Sequence, residues 1–344
     1  MIRALALVAL SLIPSLSRAQ EAIAEFGAGQ DPMLIRSTTD IAIIAPVLER
    51  FTALNPNLQV TYEQWGSNAL FQHSRTVCKS GENPADIVFS SAIQQMVWLV
   101  NSACGHRFQS DLTNALPAAR RWRDELWGIT TEPAVIVYNK TLLQDQNVPR
   151  SRFALLDMMR TQPDLLRGRV ATYDIAASGL GYLFAYGDSL EATTFGSLIE
   201  GFARIDAVAT CCSAEIIRDV ANGRFLIAYN VLGSYVANAK APGIGVILPE
   251  DYTLVLSRAL MIPRQARNKQ AATEFLDFLL SPQAQTLLAT SGLVAQMDTA
   301  DTGLTPSARR FIALSPALLV ARDQNRRAEL FKLWNDAFDV ESAR

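Results

Sequence analysis

Apolar residues recur along the chain in two periods: short runs close to alternation, and longer stretches at helical spacing. Residues 34–40 (LIRSTTD) read as a strand that runs into a polar loop. Ile44, Val47, Leu48, Phe51 and Leu54 then mark one face of a helix, with Pro46 expected in its first turn and Thr38, Thr39 and Asp40 in the loop before it. Residues 58–65 alternate as a second strand. Residues 85–91 (ADIVFSS) form a third, followed by a helix with Ile93, Met96, Val97 and Val100 on one side. Further strands are expected at 134–140, 168–174, 225–230 and 245–248. A long β-like run at 253–263 (TLVLSRALMIP) is broken by Ser257 and Arg258. Helices are expected over 269–279 and 282–289, and the last forty residues read as helical, docking through Phe331, Leu333, Trp334 and Phe338. Strands alternating with helices predict an α/β architecture. A chain of 344 residues makes two domains the default, and no Pro/Gly/Ser-rich linker separates them. Structured strands are therefore expected to cross between the domains and to form a hinge.

A composition of 49% hydrophobic and 19% charged residues excludes a disordered or collagen-like chain. A net charge of −2 gives no electrostatic footprint for nucleic acid. Residues 1–19 read as an export signal: Arg3 supplies the positive start, residues 4–16 the apolar stretch, and Ser17-Arg18-Ala19 a site for cleavage after Ala19. Removing Arg3 and Arg18 from 31 basic residues leaves 29 against 33 acidic ones, a net charge of −4. The expected location is the periplasm, where disulfides persist. Cys78 and Cys104 flank the unit at 85–103 and would meet when it folds back, buried thiols being the alternative. A bond between the adjacent Cys211 and Cys212 would join Cα atoms about 3.8 Å apart, below the usual disulfide range. The sequence leaves both pairings open.

Catalytic motifs fail on context. Gly187-Asp188-Ser189-Leu190 spells the serine block of a lipase/esterase class, but both histidines, His73 and His106, lie upstream of it. There is no GxSxG, GxxxxGK[ST], HExxH or CxxC, so neither an enzyme nor a resident metal or cofactor is expected. What stands out is small polar residues just before predicted helix starts: Thr38, Thr39 and Asp40; Ser90 and Ser91; and Ser178-Gly179-Leu180-Gly181-Tyr182. In open α/β sheets ligands collect at the carboxyl ends of strands, and helix N-terminal amides favour anions there. Each such loop is equally explained as an N-cap, yet three of them after three strands point to a site. Tyr229, Asn230, Ser234 and Tyr235 lie in and after another strand and would border a cleft. Glu132, before the crossing strand, would accept from ligand hydroxyls.

The succession LIRSTTD, NPNLQVTYEQW, ADIVFSS, EPAVIVYNK, GRVATYD–SGLGY, FLIAYNVLGSY and NKQAATEFLDFLLSPQAQ resembles the bacterial periplasmic solute-binding proteins of ABC importers. The likeness spans about residues 33–295 and is narrowest to the ferric-iron and hexose-phosphate binders. It implies a two-lobe periplasmic-binding-protein fold of type II character, hinged, with the ligand cleft between the lobes. Lobe 1 is expected from 20–131 and 237–298, and lobe 2 from 132–236 and 299–344. The implied function is capture of a small anionic solute, a phosphorylated or carboxylated metabolite, by a monomer that delivers it to an inner-membrane permease. Ferric-binding members carry a tandem Tyr-Tyr; here the matching AYNVLGSY separates Tyr229 from Tyr235. Iron held by phenolates is the alternative, and a ligand sensor feeding a sensor kinase is another.

Overall fold

The computed structural model describes residues 20–144, 148–239, 241–295 and 305–338. The expected export signal, 1–19, lies outside these residues. Fourteen strands among them form two sheets. The first is ordered β1 (Gln20–Phe26), β3 (Leu58–Trp65), β2 (Asp31–Ser37), β4 (Ile87–Ser90), β13 (Ala259–Met261), β6 (Leu126–Gly128), β5 (Arg121–Trp122). The second runs β14 (Arg309–Phe311), β12 (Thr253–Leu256), β7 (Glu132–Asn139), β10 (Ile227–Leu232), β8 (Val170–Tyr173), β9 (Val208–Thr210), with β11 (Ile244–Ile247) also paired to β7. Within the first sheet β3, β2 and β4 are parallel, as their helical crossovers require, while β13 returns antiparallel against β4. Helices cover the faces, giving the two-lobe α/β architecture of periplasmic binding proteins.

The chain passes between the sheets three times: between β6 and β7, between β12 and β13, and again between β13 and β14. The second crossing explains the break in TLVLSRALMIP. What looks like one strand is two, in different sheets, joined by Ser257 and Arg258. This corrects the expected return to lobe 1 at residue 237, because β11 and β12 still pair with β7. The alternation of apolar residues is blind to which sheet a strand joins, so the crossing was misplaced by about twenty residues.

Three further differences have local causes. Gln20–Phe26, assigned no element from the sequence, is an edge strand antiparallel to β3, with a half-exposed pattern that carries little signal. The helix Ile41–Leu54 starts at Asp40 and takes Pro46 into its interior, not its first turn. Buried Ile43 and Ile44 hold that earlier start in place. In the C-terminal helix Gln324–Phe338, Leu330 and Trp334 are buried, Phe331 stacks on Tyr182, and Leu333 faces solvent, against expectation. The polar strand β14 within the supposedly all-helical tail pairs parallel with β12.

Both open cysteine questions are answered by proximity. Cys78 and Cys104 are bonded, with Cα atoms 5.4 Å apart, and Cys211 is bonded to Cys212, at 3.7 Å.

Candidate functional site

A cavity of about 150 Å³ lies between the lobes. From the first lobe Glu21, Thr38, Asp40, the segment Gln64-Trp65-Gly66-Ser67 and Ser91 form its wall. From the second come Tyr173, Ala177, Ser178, Leu180 and the segment Cys211-Cys212-Ser213-Ala214, with Tyr235 at the hinge side. Five helices start at this wall. Ile41–Leu54 begins after Asp40, Ser67–Ser80 after Gly66, Gly179–Glu191 after Ser178 and Ser213–Ala221 after Cys212, while Ser91 stands just ahead of Ile93–Asn101. Each N-terminus carries roughly half a positive charge, which opposes the carboxylates of Glu21 and Asp40 on a wall that no lysine or arginine lines.

The lobes already touch around the cavity. Asn68 donates to the carbonyls of Ala176 and Ala177 at 2.8 and 3.0 Å and accepts from Gln95 at 2.8 Å. The Gly179 amide donates to the Ser67 hydroxyl at 2.9 Å, and Gln94 donates to the Gly179 carbonyl at 2.7 Å. Ser67, Asn68 and Gln94, on two lobe-1 helices, therefore grip the turn that opens a lobe-2 helix, and Gln95 holds Asn68 in place. None was singled out from the sequence, because Ser, Asn and Gln on a helix face look like ordinary surface.

Of the expected site residues, Thr38, Asp40, Ser91, Ser178, Leu180 and Tyr235 reach the cavity. Thr38 and Ser91 also tie two loops together: the Ser91 amide donates to the Thr38 hydroxyl at 3.0 Å. The Ser178 hydroxyl accepts from the Gly181 amide at 3.0 Å, so this residue is an N-cap and a wall residue together. Gly179 and Gly181 lie in that first turn, where a Cβ on Gly181 would meet the Tyr173 side chain at 2.3 Å. Ser90 is buried and accepts from the Ala92 amide.

The remaining expected residues do not line the cavity and are engaged by the protein itself. Glu132 is fully buried and spent on Arg258, at 2.8 Å, and on the hydroxyls of Thr130 and Ser234. It accepts from the protein, with no oxygen left over for a ligand hydroxyl. Thr39 accepts from Arg258 at 3.1 Å behind the wall. Tyr182 points to the opposite side of its helix and donates to the Ala321 carbonyl. Tyr229 and Asn230 both donate to Asp188, inside lobe 2. Strand alternation sends Tyr229 into that core, while Asn230, with φ of +55°, sits where the β7–β10 register shifts. Ser189 sits within a helix and donates to the Tyr186 carbonyl at 2.7 Å.

The phenols of the cavity are held protonated. Burial pushes Tyr173 up to about 12, against hydrogen bonding to Ser213. Burial also raises Tyr235 well above its ordinary value; Arg258 pulls it down and Asp40, which accepts from its hydroxyl at 2.8 Å, pushes it up. Among the described residues no group of three or more His, Cys, Asp or Glu is placed to hold a metal ion.

Comparison with known proteins agrees with this architecture. The family of bacterial extracellular solute-binding proteins matches residues 47–308. A crystal structure of the substrate-binding protein of an ABC transporter from Agrobacterium tumefaciens is 31% identical, covering 92% of this chain and 98% of its own, with a TM-score of 0.85. The apo ferric ion-binding protein A of Pasteurella haemolytica is 17% identical, with coverage of 90% and 99% and a TM-score of 0.69. Iron-bound HitA of Pseudomonas aeruginosa is 16% identical, with coverage of 90% and 99% and a TM-score of 0.67. At that identity the two iron binders share the fold alone. No curated protein matches the chain. The chain belongs to the bacterial extracellular solute-binding proteins.

Proposed function

We propose that the protein is the solute-binding component of an ABC importer, working in the periplasm as a monomer, and that it captures a small organic anion. The observation that carries this reading is the meeting of helix N-termini from both lobes at one interlobe cavity. An anion seated there is bound by both lobes at once, so it favours the closed arrangement over the open one. The helix starts and the hydroxyls of Thr38, Ser67, Ser91, Ser178 and Ser213 suit phosphate or carboxylate oxygens. Asp40 and Glu21 on the same wall suit a ligand that also carries hydroxyl or amino donors. The volume fits a compact metabolite, being close to that of a cavity known to accept benzene.

Capture of ferric iron by phenolates fits less well. Tyr229 is buried on Asp188 away from the cavity, and Tyr173 and Tyr235 are held in their neutral form. A hard trivalent cation wants anionic oxygen ligands.

Native mass spectrometry of the mature protein from a periplasmic preparation tests the reading. The expected result is a released organic anion, bearing phosphorus or a carboxylate. A mass excess matching iron, with visible colour, would overturn it. Alanine at both Thr38 and Ser178 is expected to lower affinity for that anion at least tenfold; unchanged affinity would remove the site assignment.

A further inference from the structure

The two disulfides have different surroundings. Cys78–Cys104 ties the end of a lobe-1 helix to the segment after the next one, away from the interlobe cavity. Cys211–Cys212 is part of the cavity wall itself. Cys212 is also the residue from which the helix Ser213–Ala221 starts, and its φ is +79°, a conformation that side-chain-bearing residues rarely adopt. The first residues of that helix, Ser213 and Ala214, face the same cavity, and the Ser213 hydroxyl is hydrogen-bonded to that of Tyr173. Tyr173 in turn accepts from the Leu232 amide at 3.2 Å. A bond between neighbouring residues closes a small ring and holds the backbone turn in place. Without it Cys212 is free to leave the positive-φ region, and the amides of the following helix move with it.

We propose that the Cys211–Cys212 disulfide is a redox-sensitive part of the solute site: the oxidised pair holds the start of the Ser213–Ala221 helix in its binding geometry, and reduction lowers affinity. The proposal rests on the anion-binding reading of the cavity. Its chemistry is thiol–disulfide exchange with a dithiol reductant. One reductant thiolate attacks a sulfur of the pair, expelling the other as a thiolate, and the second attacks the reductant's sulfur in the resulting mixed disulfide and expels the remaining protein thiolate. Two electrons and two protons pass to Cys211 and Cys212, and the reductant leaves as its own disulfide. The pair sits at the interlobe opening, with Cys212 exposed, so a reductant can reach it in the open state.

The test uses the mature protein from an oxidising compartment, with inorganic phosphate as the probe. Trypsin cuts after Arg204 and Arg218, releasing residues 205–218 with both cysteines and no other. That peptide is expected about 2 Da lighter than its dithiol form, since each disulfide bond removes two hydrogens. Phosphate affinity by calorimetry is expected to fall roughly tenfold after dithiothreitol treatment, and equally in Cys211→Ser/Cys212→Ser, a shift of about 1.4 kcal/mol. Cys78→Ala/Cys104→Ala is expected to keep both the wild-type affinity and the response to dithiothreitol, which separates the two bonds. Recovery of the peptide as a dithiol overturns the proposal, as does phosphate affinity indifferent to reduction and to the double serine change. Wild-type protein that takes up no phosphate overturns the anion reading, and the affinity claim with it.

Discussion

Two buried arginines, one at the second crossing between the lobes and one inside lobe 2, show how similar polar clusters serve different ends. Arg258 is fully buried at the second crossing between the lobes and pairs with Glu132 at 2.8 Å. From there it reaches the Thr38 carbonyl at 3.3 Å and the Thr39 hydroxyl at 3.1 Å. Arg152, inside lobe 2, pairs with Asp188 at 3.1 Å and lies 3.6 Å from the centre of the Tyr252 ring. It also donates to the Tyr252 carbonyl and to Asn230. Both guanidiniums are strongly desolvated, and both stay charged because carboxylates and phenols answer them. The difference is location. Arg258 props up the loop that forms the cavity wall, while Arg152 braces a lobe interior away from that cavity. A buried charged cluster therefore marks a functional site only when it touches a surface that the ligand shares.

The largest effect should come from breaking either cluster. Glu132→Ala removes the carboxylate paired with Arg258, and Asp188→Ala leaves Arg152 with the partly exposed Asp251 at 3.3 Å; each is expected to cost about 3–5 kcal/mol of stability. The two part company in binding. At a temperature where both variants are folded, the Asp188 change should leave anion affinity near wild type, while the Glu132 change should lower it severalfold through the Thr38–Asp40 loop. Calorimetry on both variants decides it, and equal losses of affinity would erase the distinction.

A smaller effect separates the lobe interiors from the contact between them. Asn68→Ala removes hydrogen bonds to Ala176, Ala177 and Gln95, each worth about 0.5–1.5 kcal/mol net. Because those to Ala176 and Ala177 form across the lobes, the loss should fall on closure, with affinity two- to tenfold lower and the thermal midpoint of the unliganded protein little moved. A drop in that midpoint with affinity intact would make Asn68 a lobe-1 structural residue.

The smallest effect is in alkali. Tyr173, raised from 10.0 to about 12, favours the folded state while it is neutral. That contribution is complete below pH 10, where the unfolded phenol is still protonated, and is lost as pH rises through the folded value. Stability should therefore decline between about pH 10 and 12 by on the order of 1–2 kcal/mol, and less steeply in Tyr173→Phe. His73 works in the opposite sense. Burial, then Arg36, holds its pKa below 6.5, against the pull of Glu63, so its contribution is present above that value and fades as pH falls below it.

The fold was legible where periodicity is local. Buried strands such as β7 and helices such as Lys269–Leu280 carry their pattern in a few consecutive residues, and the chain shows them without tertiary help. The helix start at Ser178 was visible for the same reason, since capping chemistry acts over three or four residues. The edge strand β1 was missed because an edge shows half a pattern.

Sequence by itself determined the α/β class, the absence of a linker, and which short polar loops precede helices. Tertiary structure decided which of those loops face one another. Tyr229 and Tyr235 lie six positions apart in the chain, yet one donates to Asp188 in a lobe core and the other to Asp40 at the cleft. Glu132 looked free until the chain brought Arg258 from 126 residues away. The adjacent cysteines are bonded to each other, while Cys78 met a partner 26 residues on. Local propensity is a property of a few neighbouring residues, whereas the orientation and pairing of a polar side chain depend on whatever long-range packing brings against it.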